Sequence, residues 1–162
     1  MNRGTTCMLT GMTLLGLAIA GVPQPSYAQS DLAPGTWQLN VSKSKYSPGP
    51  PPKSSTVTVQ AVGQNHKLTA VTINAEGKQT SVENTRIYDG MSHPVAGNPD
   101  YDAGAFTRVD AYTIVISYTK AGKLVRTATN VLSQDGKTIT ATNIGMDASG
   151  RPVNIIAVYD KQ

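Results

Sequence analysis

The 162 residues carry a formal charge of +4 spread without any run of basic side chains, Lys43, Lys45 and Lys53 being the nearest thing to a cluster. No basic stripe with interleaved aromatics exists, so nucleic acid is not expected as a partner, and one tryptophan with one phenylalanine cannot supply the aromatic girdles of a lipid-facing barrel. The single cysteine, Cys7, lies near the amino terminus, which leaves the rest of the chain to draw its stability from packing and backbone hydrogen bonds.

Met1 to Ala28 reads as an export signal. Arg3 supplies the positive n-region, Met8 to Val22 the apolar stretch, and Ser26-Tyr27-Ala28 the small residues of a cleavage site. The apolar stretch is shorter than the roughly 20 residues of a transmembrane helix, so no stable span is expected after cleavage. Gln29 to Gln162 then forms one domain, large enough to bury a core without staples.

Gln29 to Pro34 is a polar lead-in. From Gly35 to Val41, Trp37, Leu39 and Val41 share one face and Thr36, Gln38 and Asn40 the other, a period of two that predicts a half-buried first strand. Trp37, a large ring on the inner face of a first strand, is most simply a core plug, with ligand stacking as the alternative role. Ser42 to Ser55 holds four prolines, which remove donors and fix φ, so an extended, polyproline-like crossover is expected there.

Thr56 to Val62, Lys67 to Ala75 and Gln79 to Tyr88 follow as strands, with turn signals at Ala75-Glu76-Gly77-Lys78 and Asp89-Gly90. Asp89 to Ala105 is crowded with Gly, Pro, Asn and Asp, which predicts a long irregular loop with one short edge strand around Val95. Long loops are where function concentrates, so a rim or lid is expected in this segment. Phe106 to Asp110 and Tyr112 to Thr119 resume the strands. Gly122, Gly136 and Gly150 then recur every 14 residues, separating Leu124 to Ser133, Thr138 to Met146 and Val153 to Tyr159 as an antiparallel meander.

These segments make about nine strands, or ten with Val95, and none shows a sustained 3.6-residue period. The expected class is all-β, with no helix apart from the signal segment. Short turns suit either a sandwich or an up-and-down barrel.

Gly35-Thr36-Trp37-x-Leu39 and Val158-Tyr159-Asp160-Lys161 resemble the two ends of calycins: the Gly-x-Trp opening of lipocalins, and the Gly-Thr-Trp-x-Leu start and Val-Tyr-Glu-Lys finish of intracellular fatty-acid-binding proteins. The chain is also similar to a group of exported bacterial proteins with an Asp-Gly-Lys-Thr hairpin and a terminal Val-Tyr-Asp-Lys-Gln. The resemblance implies a small antiparallel, lipocalin-like barrel of about eight to ten strands, closed by pairing the Trp37 strand with the Tyr159 strand, and a periplasmic or secreted bacterial location. Two departures bear on function. Ala157 stands where fatty-acid-binding proteins carry a ligand-holding arginine, and prolines occupy the place of their helical lid, so fatty-acid binding does not carry over.

Three arginines fall on apolar faces. Arg86 and Tyr88 share a face with Val82, Arg108 shares one with Phe106, and Arg126 shares one with Leu124, Ala128 and Leu132. A buried guanidinium needs an anionic partner or ligand. The plainer expectation pairs these arginines with Glu83, Asp89 or Asp110, or moves them outward by a bulge.

Catalytic chemistry is not in view. His66 and His93 are far apart in sequence, each beside a turn or proline, and both are expected to face solvent. No nucleophile elbow or phosphate loop is present, and Asn98, Asp100 and Asp102 make only an incomplete calcium-loop pattern. The functional expectation is a non-enzymatic barrel without metal or cofactor, binding a small apolar or amphipathic ligand, with Trp37, Arg86, Tyr88, Arg108, Arg126 and Tyr159 as candidate ligand contacts. The alternative is a structural or protein-interaction module of the cell envelope that presents the 89–105 loop or the proline run.

Overall fold

The computed structural model describes residues 34–162, so the export signal read at 1–28 lies outside the described residues. Eleven strands run in chain order: β1 (Gly35–Leu39), β2 (Lys45–Ser47), β3 (Ser54–Val62), β4 (Asn65–Ile73), β5 (Gln79–Arg86), β6 (Ser92–Ala96), β7 (Ala103–Arg108), β8 (Thr113–Lys120), β9 (Lys123–Leu132), β10 (Thr138–Met146) and β11 (Pro152–Lys161). From β3 to β11 each strand pairs antiparallel with the next, β1 pairs with β3, and β11 returns to β1, closing a ten-strand up-and-down barrel. There is no α-helix among the described residues.

Closure follows from the two ends of the domain. Gln38 faces Asp160 and Leu39 faces Tyr159 across the β1–β11 ladder, which continues through Asn40 N–H to the Val158 carbonyl and Gln162 N–H to the Thr36 carbonyl. The Asn40 amide also donates to the Asp160 carboxylate at 2.7 Å. Every full-length strand thereby has two neighbours, which removes the open edges that invite association.

The turns explain the local register. Ala121 and Gly122 both have positive φ, 47° and 76°, as a two-residue hairpin with a primed turn requires. The turns ending at Gly136 and Gly150 are of a different kind, closed by the glycine N–H on the carbonyl three residues earlier, Ser133 and Asp147 respectively. The 14-residue recurrence thus joins two turn types with one spacing.

Three expectations need correction. Val41 does not continue the buried face of β1. The Asn40 side chain accepts from Lys43 N–H, winds Val41–Lys43 into a 3-10 turn and leaves Val41 37% exposed. Ser42 to Ser55 is not only a crossover, because Lys45–Ser47 pairs with β11 at Asn154 to Ile156. β2 thus continues the edge that β1 leaves, and only the proline-rich part beyond it is a connection. Finally, the strand around Val95 is no edge. β6 lies between β5 and β7, though it touches β5 through just Glu83↔Ala96 and Asn84↔Val95. That pairing is the narrowest seam of the barrel.

At the upper end of this seam the chain turns at Gly97, whose φ is +83° and where a Cβ would lie 2.0 Å from the Ser81 carbonyl oxygen. The Gly97→Ala variant is expected to lose about 2 kcal/mol in urea unfolding, from strain and backbone displacement. At Gly63 a Cβ would meet nothing within 4 Å, and Gly63→Ala should cost markedly less. Equal losses at the two positions would contradict the close packing of the seam.

Candidate functional site

Alternation along the strands sends one side chain in two into the barrel. The interior divides by size. Trp37, Phe106 and Ile116 are wholly buried, and with Val59, Leu68, Val95, Ile114, Leu132 and Ile139 they form a packed plug. Elsewhere the inward positions carry short side chains: Val57 and Ser55 on β3, Ala70 and Thr72 on β4, Val82 on β5, Ala128 on β9, Ala141 on β10. These cannot meet across the barrel, and a cavity of about 220 Å³ remains above the plug. It is smaller than the roughly 300 Å³ at which sites for drug-sized ligands begin.

The cavity wall is mixed in character. Trp37 and Leu68 form part of its apolar side, and Tyr101, Tyr118 and Tyr159 add rings with hydroxyl groups. Burial, the dominant cause in each case, raises the pKa of all three tyrosines, so they stay neutral hydrogen-bonding groups. Tyr101 stacks on Tyr118 with centroids 4.0 Å apart. Asn84, Asn98, Asn130 and Asn143 present amides to the same space. Arg86 completes the wall. It is 5% exposed, its Nε and Nη1 have no hydrogen-bond partner, and neither has Oδ1 of the neighbouring inward residue, Asn84.

The connection between β6 and β7 closes over this end of the barrel. Asn98 and Tyr101 from this connection line the cavity. Asp100 between them reaches across, accepting from Arg126 Nη2 at 2.6 Å and from Ala148 N–H at 2.9 Å. Arg126 Nη2 also donates to the Met146 carbonyl, and Asp102 accepts from Ala121 N–H. One loop is therefore pinned to the β8–β9 hairpin, to β9 and to the β10–β11 turn. The lid expected in the 89–105 segment is residues 97–102, latched by Asp100. The same bonds occupy the carboxylates of the incomplete calcium pattern, and no cluster of three or more metal-ligating side chains occurs among the described residues.

The six candidate contacts divide three and three. Trp37, Arg86 and Tyr159 line the cavity. Arg126 is inward and buried as expected, but its charge is neutralised by Asp100 and not by Glu83, Asp89 or Asp110. Tyr88 and Arg108 lie outside the lining, the Arg108 guanidinium sitting 4.5 Å above the Tyr88 ring. Glu83 pairs instead with Lys67, and Asp89 with His93.

Both histidines depart from expectation. His66 points inward on β4, opposite Arg86, and is buried, with Nδ1 3.3 Å from the Tyr88 hydroxyl. His93 is half-buried on β6 with Nε2 2.9 Å from Asp89. The residues missed from sequence are the inward amides and Tyr101 and Tyr118. Parity would have found Asn84, which alternates with Val82 and Arg86, and likewise Asn130 beside Ala128 and Asn143 beside Ala141.

No protein-family model matches the chain, and no curated protein matches its sequence. Among solved structures, zebrafish ileal bile acid-binding protein complexed with cholic acid is similar at a TM-score of 0.49, with 14% identity over 82% of this chain and 100% of its own. A redesigned beta barrel is similar at 0.48, with 15% identity over 83% of this chain and 95% of its own. Likeness at this level carries no argument about function, and the fold stands on the strand pairing itself.

Removing the latch by Asp100→Ala strands a largely buried Arg126, and is expected to cost about 3 kcal/mol in urea unfolding. The double variant Asp100→Ala/Arg126→Met should cost less than Asp100→Ala alone, and a larger loss would contradict the pairing. His66 gives a pH signature. Burial first, and the charge of Arg86 second, hold its imidazole below the ordinary value of 6.5. The unfolded chain binds that proton more readily, so this contribution is complete above pH 6.5 and is lost as pH falls from there through the folded value. His66→Gln is expected to flatten the urea midpoint in that window, and an unchanged slope would contradict the assignment.

Proposed function

We propose that this chain is a non-enzymatic carrier that holds one small apolar or amphipathic molecule inside its barrel. The observation that carries the reading is the cavity itself: a space of about 220 Å³ bounded partly by aliphatic and aromatic side chains and partly by amides, hydroxyls and Arg86. Apolar surface beside polar atoms held in place by the strands suits a small molecule that is itself amphipathic.

The alternation that builds the barrel also explains why its interior is not filled. Short side chains at Ser55, Val57, Ala70, Thr72, Val82, Ala128 and Ala141 leave room between the strands, while Phe106 and Ile116 fill the plug. Trp37 belongs to both regions, so a bound molecule would touch the chain's only tryptophan. The proposal includes export to the periplasm or the medium of a bacterium, supported by the Met1 to Ala28 pattern alone.

Native mass spectrometry of protein purified without denaturation from its own cells is expected to show a small bound mass that solvent extraction releases. Ala141→Phe, which places a ring in the cavity from β10, should purify with a clean mass and an unchanged circular dichroism spectrum. Clean masses for both proteins, with no change in Trp37 fluorescence on adding octanol or octanoate to either, would contradict the carrier reading.

A further inference from the structure

We propose that the molecule held in the barrel is a compact monocarboxylate whose acid group is seated against Arg86; the inference rests on the carrier reading and specifies its ligand. Arg86 is one of two strongly buried arginines among the described residues, and the two are treated differently by the fold. Arg126 has a carboxylate at 2.6 Å and a carbonyl besides. Arg86 has neither. Its guanidinium carbon stands 5.8 Å from the Phe106 ring centroid, its Nε and Nη1 hydrogen-bond to nothing, and no carboxylate among the described residues pairs with it.

A guanidinium without a counter-charge is costly to hold in a protein interior. The surroundings of Arg86 supply dipoles but no negative charge. Across the β4–β5 ladder is His66, held neutral, and Arg86 donates to the Tyr88 hydroxyl and lies near that of Tyr118, both of which burial keeps protonated. The remaining open side of the residue is the cavity. An anion entering there supplies the missing counter-charge.

The number of charges selects the kind of anion. A phosphate carries nearly two negative charges and is ordinarily met by several cations or by a fan of backbone N–H groups at a helix start. Here one cation faces the space, and the wall is built from strands and the β6–β7 connection with no helix start among them. One guanidinium matches one carboxylate, with planar geometry suited to both. The body of the ligand is set by the rest of the wall: Val57, Leu68 and Val82 opposite the Tyr101–Tyr118 stack accept a short chain or a single ring. Asn84 Oδ1, the unpartnered acceptor next to Arg86 on β5, marks this as the stretch of wall whose polar needs the chain itself leaves unmet.

Matched acids and alcohols test the assignment: hydrocinnamate against hydrocinnamyl alcohol, and octanoate against octanol, titrated calorimetrically and by Trp37 fluorescence into the wild type and Arg86→Met. In at least one pair the wild type is expected to bind the acid about tenfold to a hundredfold tighter than its alcohol, the range of a charge-assisted hydrogen bond. In R86M that ratio collapses to about one, while the melting temperature holds or rises because a buried uncompensated charge is gone. If R86M does not fold, the wild type decides alone: the acid's advantage must vanish as pH falls below the ligand's own pKa, and the alcohol's affinity must not follow it. Alcohols and acids binding equally well in the wild type, or an advantage that survives R86M, would overturn the carboxylate seat and leave the carrier reading standing. Silence from all four compounds would overturn both.

Discussion

The antiparallel ladder between β1 and β11 is the constraint on which everything else depends. It joins the first described strand to the last, a sequence separation of about the whole domain, and its cost in loop-closure entropy is met only once the intervening strands are in place. Without it Trp37 would sit on an open edge strand, and the plug would lose its largest ring. The ladder is therefore also what separates a barrel with an interior from a sheet with two faces in water.

Once the cylinder is closed, the inventory of side chains decides what its interior can be. Ten strands enclose more space than an eight-strand barrel, whose interior side chains just fill. Among the described residues only Trp37, Phe106 and Ile116 are both large and wholly buried, enough for one end. The other end is roofed by the 97–102 loop and lined by small and amide side chains, so that it holds a cavity. The two buried arginines show how the same residue type serves both needs. Arg126, with its charge spent on Asp100, fastens the roof. Arg86, with its charge unspent, faces the room beneath.

Much of this was legible in the chain before any coordinates. Period-two alternation located the strands to within a few residues, and parity turned Arg86 and Arg126 inward, because those signals are local and every residue of a strand repeats them. What escaped was of two kinds. Short features override the pattern: the Asn40 cap bends the chain at Val41, and β2 has just three residues, too few to show a period. His66 was hidden by its nearness to a turn, yet that turn is only Gly63-Gln64, so β4 reaches His66 with its parity intact. The second kind is long-range. Asp100 and Arg126 are 26 residues apart with no local motif between them, and an expectation that hydrophobic residues line interiors looks past Asn84, Asn130 and Asn143. The narrow β5–β6 seam belongs here too, since the breaker-rich 89–105 segment suggested an edge strand around Val95 and the closed sheet placed it inside.

The most direct measurement is the set of nuclear Overhauser contacts across the proposed closure in solution. The account predicts strong cross-strand contacts between Gln38 and Asp160 and between Leu39 and Tyr159, alongside those of the Thr140–Val158 pair in the neighbouring ladder. Contacts throughout β10–β11 with none between β1 and β11 would show an open sheet, and with it an interior exposed to water and no enclosed site for Arg86 to serve.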